Sequence, residues 1–196
     1  MAAPKLKPKP CSLDGREVLV GVTGGIAAYK TAALVSRLVQ AGAGTTVIMT
    51  EQATRFVASL TFQSLTGRPV YVAQFISPEA YRSDHVALAD RAELVVVAPA
   101  TANILAKLAH GIADDLLSTV LLAIDSPLIM APAMNERMWN HPAVRANVEL
   151  LRSRGVLLVG PEEGYLACGA KGRGRMAEPE TLFSEIVKRL GSRAQA

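Results

Sequence analysis

The chain predicts a single doubly wound α/β domain, a mostly parallel sheet sandwiched between two helical layers. Three observations carry that expectation. Short runs of Val, Ile and Leu alternate with stretches of helical period, and strands buried on both faces of a parallel sheet read as such continuous apolar runs. A glycine-rich turn, Gly21-Val-Thr-Gly-Gly-Ile-Ala27, stands between the first apolar run and the first helical stretch, where open α/β sheets bind anions. Half of the 196 residues are hydrophobic, enough for one domain to bury about 70% of its unfolded surface. Rossmann-like and flavodoxin-like strand orders both satisfy this three-layer pattern.

Taken in order, residues 1–16 contain Pro4, Pro8 and Pro10 and no apolar period, and read as a tail. The domain is expected over residues 17–191, with residues 192–196 as a second tail. Strands are expected at 17–22, 45–49, 69–72, 94–98, 127–131 and 156–159. Residues 27–40 read as a helix with Gly42 near its end, and 102–110 as another. Asp115 is placed to cap an apolar helix at 116–124. Residues 142–154 are amphipathic and stop at Gly155. Leu182, Phe183, Ile186, Val187 and Leu190 recur at helical spacing between Pro179 and Gly191.

The formal charge of +4 and pI near 9.3 invite a nucleic-acid reading. Lys5, Lys7 and Lys9 in the tail supply much of that charge, so the body is near neutral and a polyanion track is not expected. Lys171, Arg173 and Arg175 form a small basic cluster that suits an anionic metabolite. Cys11 and Cys168 give neither metal spacing nor a disulfide framework, which fits a reducing cytoplasm. No apolar run approaches the roughly 18 residues of a membrane span, and the lysine-rich start lacks the core of a signal peptide.

Five segments carry candidate chemistry. In the first turn, Thr23 and Ile26 occupy the second and third positions of a G-x-G-x-x-G pattern, and the second strand ends in Met49-Thr50-Glu51 without a clear ribose acid. A mononucleotide is favoured over a dinucleotide. Residues 98–103, APATAN, place Thr101 and Asn103 where they can meet a ring system or phosphate, while Thr101 serves equally well as a helix cap. His85 is able to move a proton near neutral pH, or to sit at a surface or helix end; His110 and His141 are weaker candidates. Residues 132–139, PAMNERMW, put Asn135 just past an apolar strand, as a substrate amide or as a turn asparagine bonding its own backbone. Residues 164–176 are rich in glycine and read as a lid that closes over substrate, a poor place to bury Cys168, which becomes a candidate acid or nucleophile.

Six segments taken in order resemble the homo-oligomeric flavin-containing cysteine decarboxylases: VTGGIAAYK at 22–30, DHVALAD at 84–90, APATAN, GIADDLLST at 111–119, PAMNERMW, and LACGAKGRGRM at 166–176. The likeness spans about residues 16–190 and is strongest to the branch that acts on 4′-phospho-N-pantothenoyl-L-cysteine in coenzyme A biosynthesis. It implies an FMN-dependent lyase: the cysteine moiety is oxidised to a thioaldehyde, the carboxylate leaves as carbon dioxide, and the resulting enethiol is reduced to 4′-phosphopantetheine. It assigns His85 as base or orienting group, Asn135 to the substrate carboxylate, and Cys168 as proton donor in the reduction.

The resemblance further implies FMN contacts at Gly24, Gly25, Ile26, Thr50, Thr101, Ala102, Asn103 and Ala133, and substrate contacts at Met134, Asn135, Lys171, Arg173 and Arg175. It implies no metal, a cytoplasmic homo-oligomer of trimers with flavin between subunits, and a separate phosphopantothenate–cysteine ligase as the source of substrate. A peptidyl-cysteine decarboxylase, which would need no Cys168, and a non-catalytic flavin-binding regulatory subunit are the alternatives. Cys168 in its motif weighs against the first, and the intact set of His85, Asn135 and Cys168 weighs against the second.

Overall fold

A computed structural model describes residues 13–72, 84–165, 169 and 171–191. In chain order the elements are β1 (Glu17–Val22), α1 (Ala28–Gln40), β2 (Gly44–Met49), α2 (Glu51–Thr54), α3 (Ser59–Thr66) and β3 (Val70–Tyr71). They continue with α4 (Asp84–Arg91), β4 (Leu94–Ala100), α5 (Ala102–His110), α6 (Leu116–Ala123), β5 (Leu128–Pro132) and α7 (Glu136–Trp139). The last are α8 (Pro142–Ser153), β6 (Leu157–Leu158), β7 (Glu162–Tyr165), β8 (Lys171–Arg175) and α9 (Pro179–Gly191).

Six strands form one parallel sheet in the order β3-β2-β1-β4-β5-β6, the Rossmann order of the two that the sequence allowed. Chain direction across the sheet reverses between β1 and β4, which opens a crevice at their carboxyl ends. The period of two along β4 sends Leu94, Val96 and Ala98 into one core with α1, α3 and α9. Val95, Val97 and Ala100 enter a second core with α4, α5, α6 and α8. Each fully buried Val, Leu or Ile contributes about 1.5–3 kcal/mol, against about 0–1 kcal/mol for a surface ion pair, so these two layers hold the fold.

The folded body starts earlier than expected. Leu13 is 1% exposed within the first core, its amide donates to the Ala41 carbonyl at 3.0 Å, and Arg16 pairs with Glu93 at 2.8 Å. Residues 13–16 therefore belong to the domain; residues 1–12, with Cys11, and residues 192–196 lie outside the described residues. β4 runs two residues past the expected end through a register shift between Val97 and Ala100. The short helices α2, α3 and α4 were not anticipated, nor was the antiparallel pairing of β7 with β8. No helix among the described residues is long and apolar enough to cross a membrane.

Candidate active site

A cavity of about 570 Å³, within the usual range for small-molecule sites, lies at the carboxyl ends of β1, β4 and β5. One wall is the backbone of Gly24, Gly25, Ile26 and Ala27 with Tyr29 and Lys30 of α1. Thr101 and Ala102 form a second, and Ala133, Met134, Asn135 and Met138 a third. Tyr165, Gly174, Arg175 and Met176 close the fourth.

The first two walls are fastened together by Thr23. Its hydroxyl is buried, donates to the Pro99 carbonyl at 2.6 Å and accepts from the Thr101 amide at 3.3 Å. A threonine in the place of a second dinucleotide-motif glycine thus acts as a cross-strand staple. Thr31 adds another, from α1 to the Ala98 carbonyl at 2.6 Å. No side chain caps α1, so the positive end of its dipole faces the cavity through the glycine turn. A Cβ on Gly24 would meet Gln52 Cβ at 2.6 Å, so only glycine brings the turn this close to α2.

The third wall is built by the chain leaving β5. The Ala133 amide donates to the Ala100 carbonyl at 3.1 Å, and the Met134 amide to the Gly174 carbonyl at 3.0 Å. Asn135 caps α7, its Oδ1 accepting from the Arg137 amide at 2.8 Å. The local-turn role and the cavity-lining position therefore coincide in one residue. PAMNERMW is a strand end and a short helix rather than a simple turn, with Trp139 1% exposed in the second core.

The fourth wall corrects the reading of residues 164–176 as a loop whose glycines confer mobility. Glu162 to Tyr165 and Lys171 to Arg175 are paired strands, and Gly172 and Gly174 are the buried positions of the K-G-R-G-R alternation. A Cβ on Gly172 would fall 2.8 Å from Glu136 Oε1 and closer still to Oε2, and one on Gly174 would collide with the Met134 carbonyl oxygen. These glycines serve close packing against the PAMNERMW segment. Cys168 lies outside the described residues.

Two cations, Lys30 and Arg175, stand at this end of the cavity. Lys30 is 6% exposed; its Nζ donates to the Met176 carbonyl at 3.2 Å and to Glu178 Oε1 at 2.9 Å. Arg175 Nη2 donates to the same Glu178 oxygen. The hydrogen bond from Lys30 holds the Glu178 carboxyl below its usual range, against a smaller opposing effect of burial. Lys30 and Arg175 thus share one carboxylate near the uncapped end of α1, with the Glu162 carboxylate on the Glu178 amide and that of Glu136 on the Arg173 amide of the same hairpin.

The expected site residues divide as follows. Gly24, Gly25, Ile26, Thr101, Ala102, Ala133, Met134, Asn135 and Arg175 all line the cavity. Thr50 instead caps α2, accepting from the Ala53 amide at 3.2 Å, and Asn103 is an exposed residue of α5. Lys171 and Arg173 point away from the buried glycine face, with Arg173 Nε donating to the Pro161 carbonyl at 3.3 Å. His85, half-buried on α4, is not in this chain's cavity wall. His110 bonds Asn147 at 3.0 Å and His141 caps α8. Lys30, Tyr165 and Glu178 went unnoticed in the sequence, and Thr23 reads there only as a departure from the glycine pattern; of the unnoticed three only Lys30 carried a signal, as a charge on the inward stripe of the first helix.

Fold and cavity together define a Rossmann-type nucleotide-binding protein with a mononucleotide-sized, anion-attracting crevice at its strand-order switch. The chain belongs to the flavoprotein family, which matches residues 6–191. It is 50% identical over 184 residues to the coenzyme A biosynthesis bifunctional protein CoaBC of Bacillus subtilis (strain 168), covering 94% of this chain and 45% of that protein. To the Escherichia coli (strain K12) protein of the same name it is 44% identical over 176 residues, covering 90% and 43%. The chain thus spans under half the length of these curated relatives.

Among solved structures, a cysteine-to-serine variant of PPC decarboxylase complexed with pantothenoylaminoethenethiol superposes with a TM-score of 0.80 at 30% identity, covering 91% of this chain and 98% of that one. The FMN-dependent cysteine decarboxylase SpaF gives 0.79 at 33% identity, covering 90% and 98%.

Proposed function

We propose that the chain is an FMN-dependent decarboxylase that converts 4′-phospho-N-pantothenoyl-L-cysteine to 4′-phosphopantetheine in coenzyme A biosynthesis. The observation that carries this reading is the joining, in one cavity, of an uncapped glycine turn, the Asn135 segment and the Arg175 side of the β7–β8 hairpin. The turn fits a flavin mononucleotide: Gly24 leaves no room for a side chain, and the backbone of Gly24, Gly25 and Ile26 would hold the phosphate, with Thr101, Ala102 and Ala133 along the ring system. Bound FMN supplies a two-electron oxidation of the substrate and later returns the electrons.

This chain's residues do the rest. Asn135, oriented by its cap, meets the substrate carboxylate. Arg175 and the positive end of α1 favour anionic forms of the ligand; a free thiol with a pKa of about 8.5 is a few per cent thiolate at pH 7, so they raise the reactive fraction. Ile26, Met134, Met138 and Tyr165 give the cavity its apolar lining. Cys168 donates the proton of the closing reduction.

His85 acts on the cavity of a neighbouring copy, in a homo-oligomer built of trimers with flavin between subunits. Support comes from its absence from its own cavity wall and from the apolar surface beside both regions: Ile26 is 60% and Tyr29 62% exposed, and Val86, next to His85, 41%. A phosphopantothenate–cysteine ligase, on the same or another polypeptide, supplies the substrate, and the reaction is cytoplasmic. Purified protein should be yellow, release FMN on acid treatment and scatter light as a multiple of three chains. Release of FAD or NAD, or a fully active monomer, would overturn the respective part of this reading.

A further inference from the structure

The hairpin of β7 and β8 stands apart from the main sheet, and a two-stranded hairpin alone is marginally stable in water. Its β8 strand carries glycine at both inward positions, Gly172 and Gly174, so side-chain packing on that face cannot hold it. What closes its open edge is the segment that carries Asn135. The Met134 amide donates to the Gly174 carbonyl at 3.0 Å, and the Arg173 amide, directed away from β7, donates to Glu136 Oε1 at 3.1 Å. The Glu136 carboxylate lies flat on the Gly172 backbone, in the volume that a methyl group there would fill.

We propose that Glu136 is a positioning residue for the reaction: by binding the Arg173 amide it holds β8 against the Asn135 segment, so that Asn135 and Arg175 face the same substrate. This rests on the decarboxylase reading above for the identity of that substrate, but the contact itself is independent of it. Glu136 sits next to Asn135 at the start of α7, so any displacement of β8 is felt one residue from the amide that meets the carboxylate. The flavin-side wall of Gly24, Gly25 and Thr101 makes no contact with Glu136 through these bonds. The carboxylate should therefore govern substrate binding and leave cofactor binding alone.

The test uses the FMN-loaded full chain. Glu136→Ala should raise KM for the phosphopantothenoylcysteine substrate on the order of tenfold, short of the roughly 100-fold that a full 1 Å displacement can cost, with FMN affinity unchanged. Glu136→Gln, which keeps an acceptor oxygen, should stay near wild type. Gly172→Ala should raise KM in the native background and have a much smaller further effect beside Glu136→Ala, because the two occupy one volume. Hydrogen exchange gives a readout that needs no substrate: Glu136→Ala should speed exchange at the Arg173 and Met134 amides and leave the β1 and β4 amides as they were. Unchanged KM and exchange in Glu136→Ala, additive effects of the two substitutions, or equal loss of FMN would each overturn the proposal. Wild-type protein that releases no carbon dioxide would sink the decarboxylase reading instead, with the exchange experiment still deciding the role of Glu136.

Discussion

Replacing Gly174 by alanine perturbs the junction of the hairpin and the Asn135 segment at one atom. The new methyl would come well inside 3.0 Å of the Met134 carbonyl oxygen, while ordinary contact begins at 3.4 Å. Both groups are main chain, so no side chain can swing aside. If the strands stay together, overpacking costs about 1–3 kcal/mol, and the stretched Met134–Gly174 hydrogen bond costs about 1 kcal/mol more. Stability should then fall by about 2–4 kcal/mol in urea unfolding. If the hairpin lifts away instead, that loss is smaller, but an error near 1 Å at Arg175 and Asn135 should cut kcat/KM by up to about 100-fold. Gly191→Ala at the end of α9, where the new methyl would meet nothing within 4 Å beyond its chain neighbours and its own helix backbone, is the control and should be neutral or slightly stabilising. A Gly174→Ala protein that matches the control in both stability and kcat/KM would refute the close-packing account of these glycines.

Three further outcomes are expected. Thr23→Val removes the hydroxyl that binds the Pro99 carbonyl; leaving that buried acceptor unpaired should cost about 1–3 kcal/mol, and isothermal titration should show weaker FMN binding because two cofactor walls come apart. The lowered pKa of Glu178 means its contribution is present above the unfolded-state value of 4.5 and lost as pH falls through the folded-state value. Thermal melting should therefore steepen its decline below pH 4.5 in the native protein and less so in Glu178→Gln, with identical profiles counting against the Lys30–Glu178–Arg175 link. Cys168→Ser should still release carbon dioxide but accumulate an enethiol lighter than 4′-phosphopantetheine by two hydrogens, readable by mass spectrometry; normal product at an undiminished rate would show that the thiol is not the acid.

The sheet was legible because its strands obey one rule: β1 and β4 are buried on both faces, and their unbroken Val and Leu runs announce it. α6 was legible from Asp115, which makes the expected cap and a reciprocal bond with Ser118. The hairpin was not, since EEGY and KGRGR bury no apolar side chain; what β8 buries is bare backbone against Glu136 and Met134, and glycine in sequence reads as freedom before it reads as contact. The period of two in K-G-R-G-R was the available signal. Within the site, Gly24, Thr101 and Asn135 could be named because glycine turns and strand-end polar residues have a fixed relation to a parallel sheet. Glu178 could not, because its tie to the first helix runs through Lys30, 148 residues away in sequence, and Arg173 reads as a ligand contact although its side chain turns to Pro161.

The central claim is that this cavity holds FMN and decarboxylates a cysteine derivative without net oxidation. Incubating FMN-loaded protein with 4′-phospho-N-pantothenoyl-L-cysteine and weighing the product tests cofactor, substrate and redox outcome together. The account predicts stoichiometric carbon dioxide and a product of the mass of 4′-phosphopantetheine. Unchanged substrate, or an oxidised enethiol released as the final product of the native protein, would contradict it.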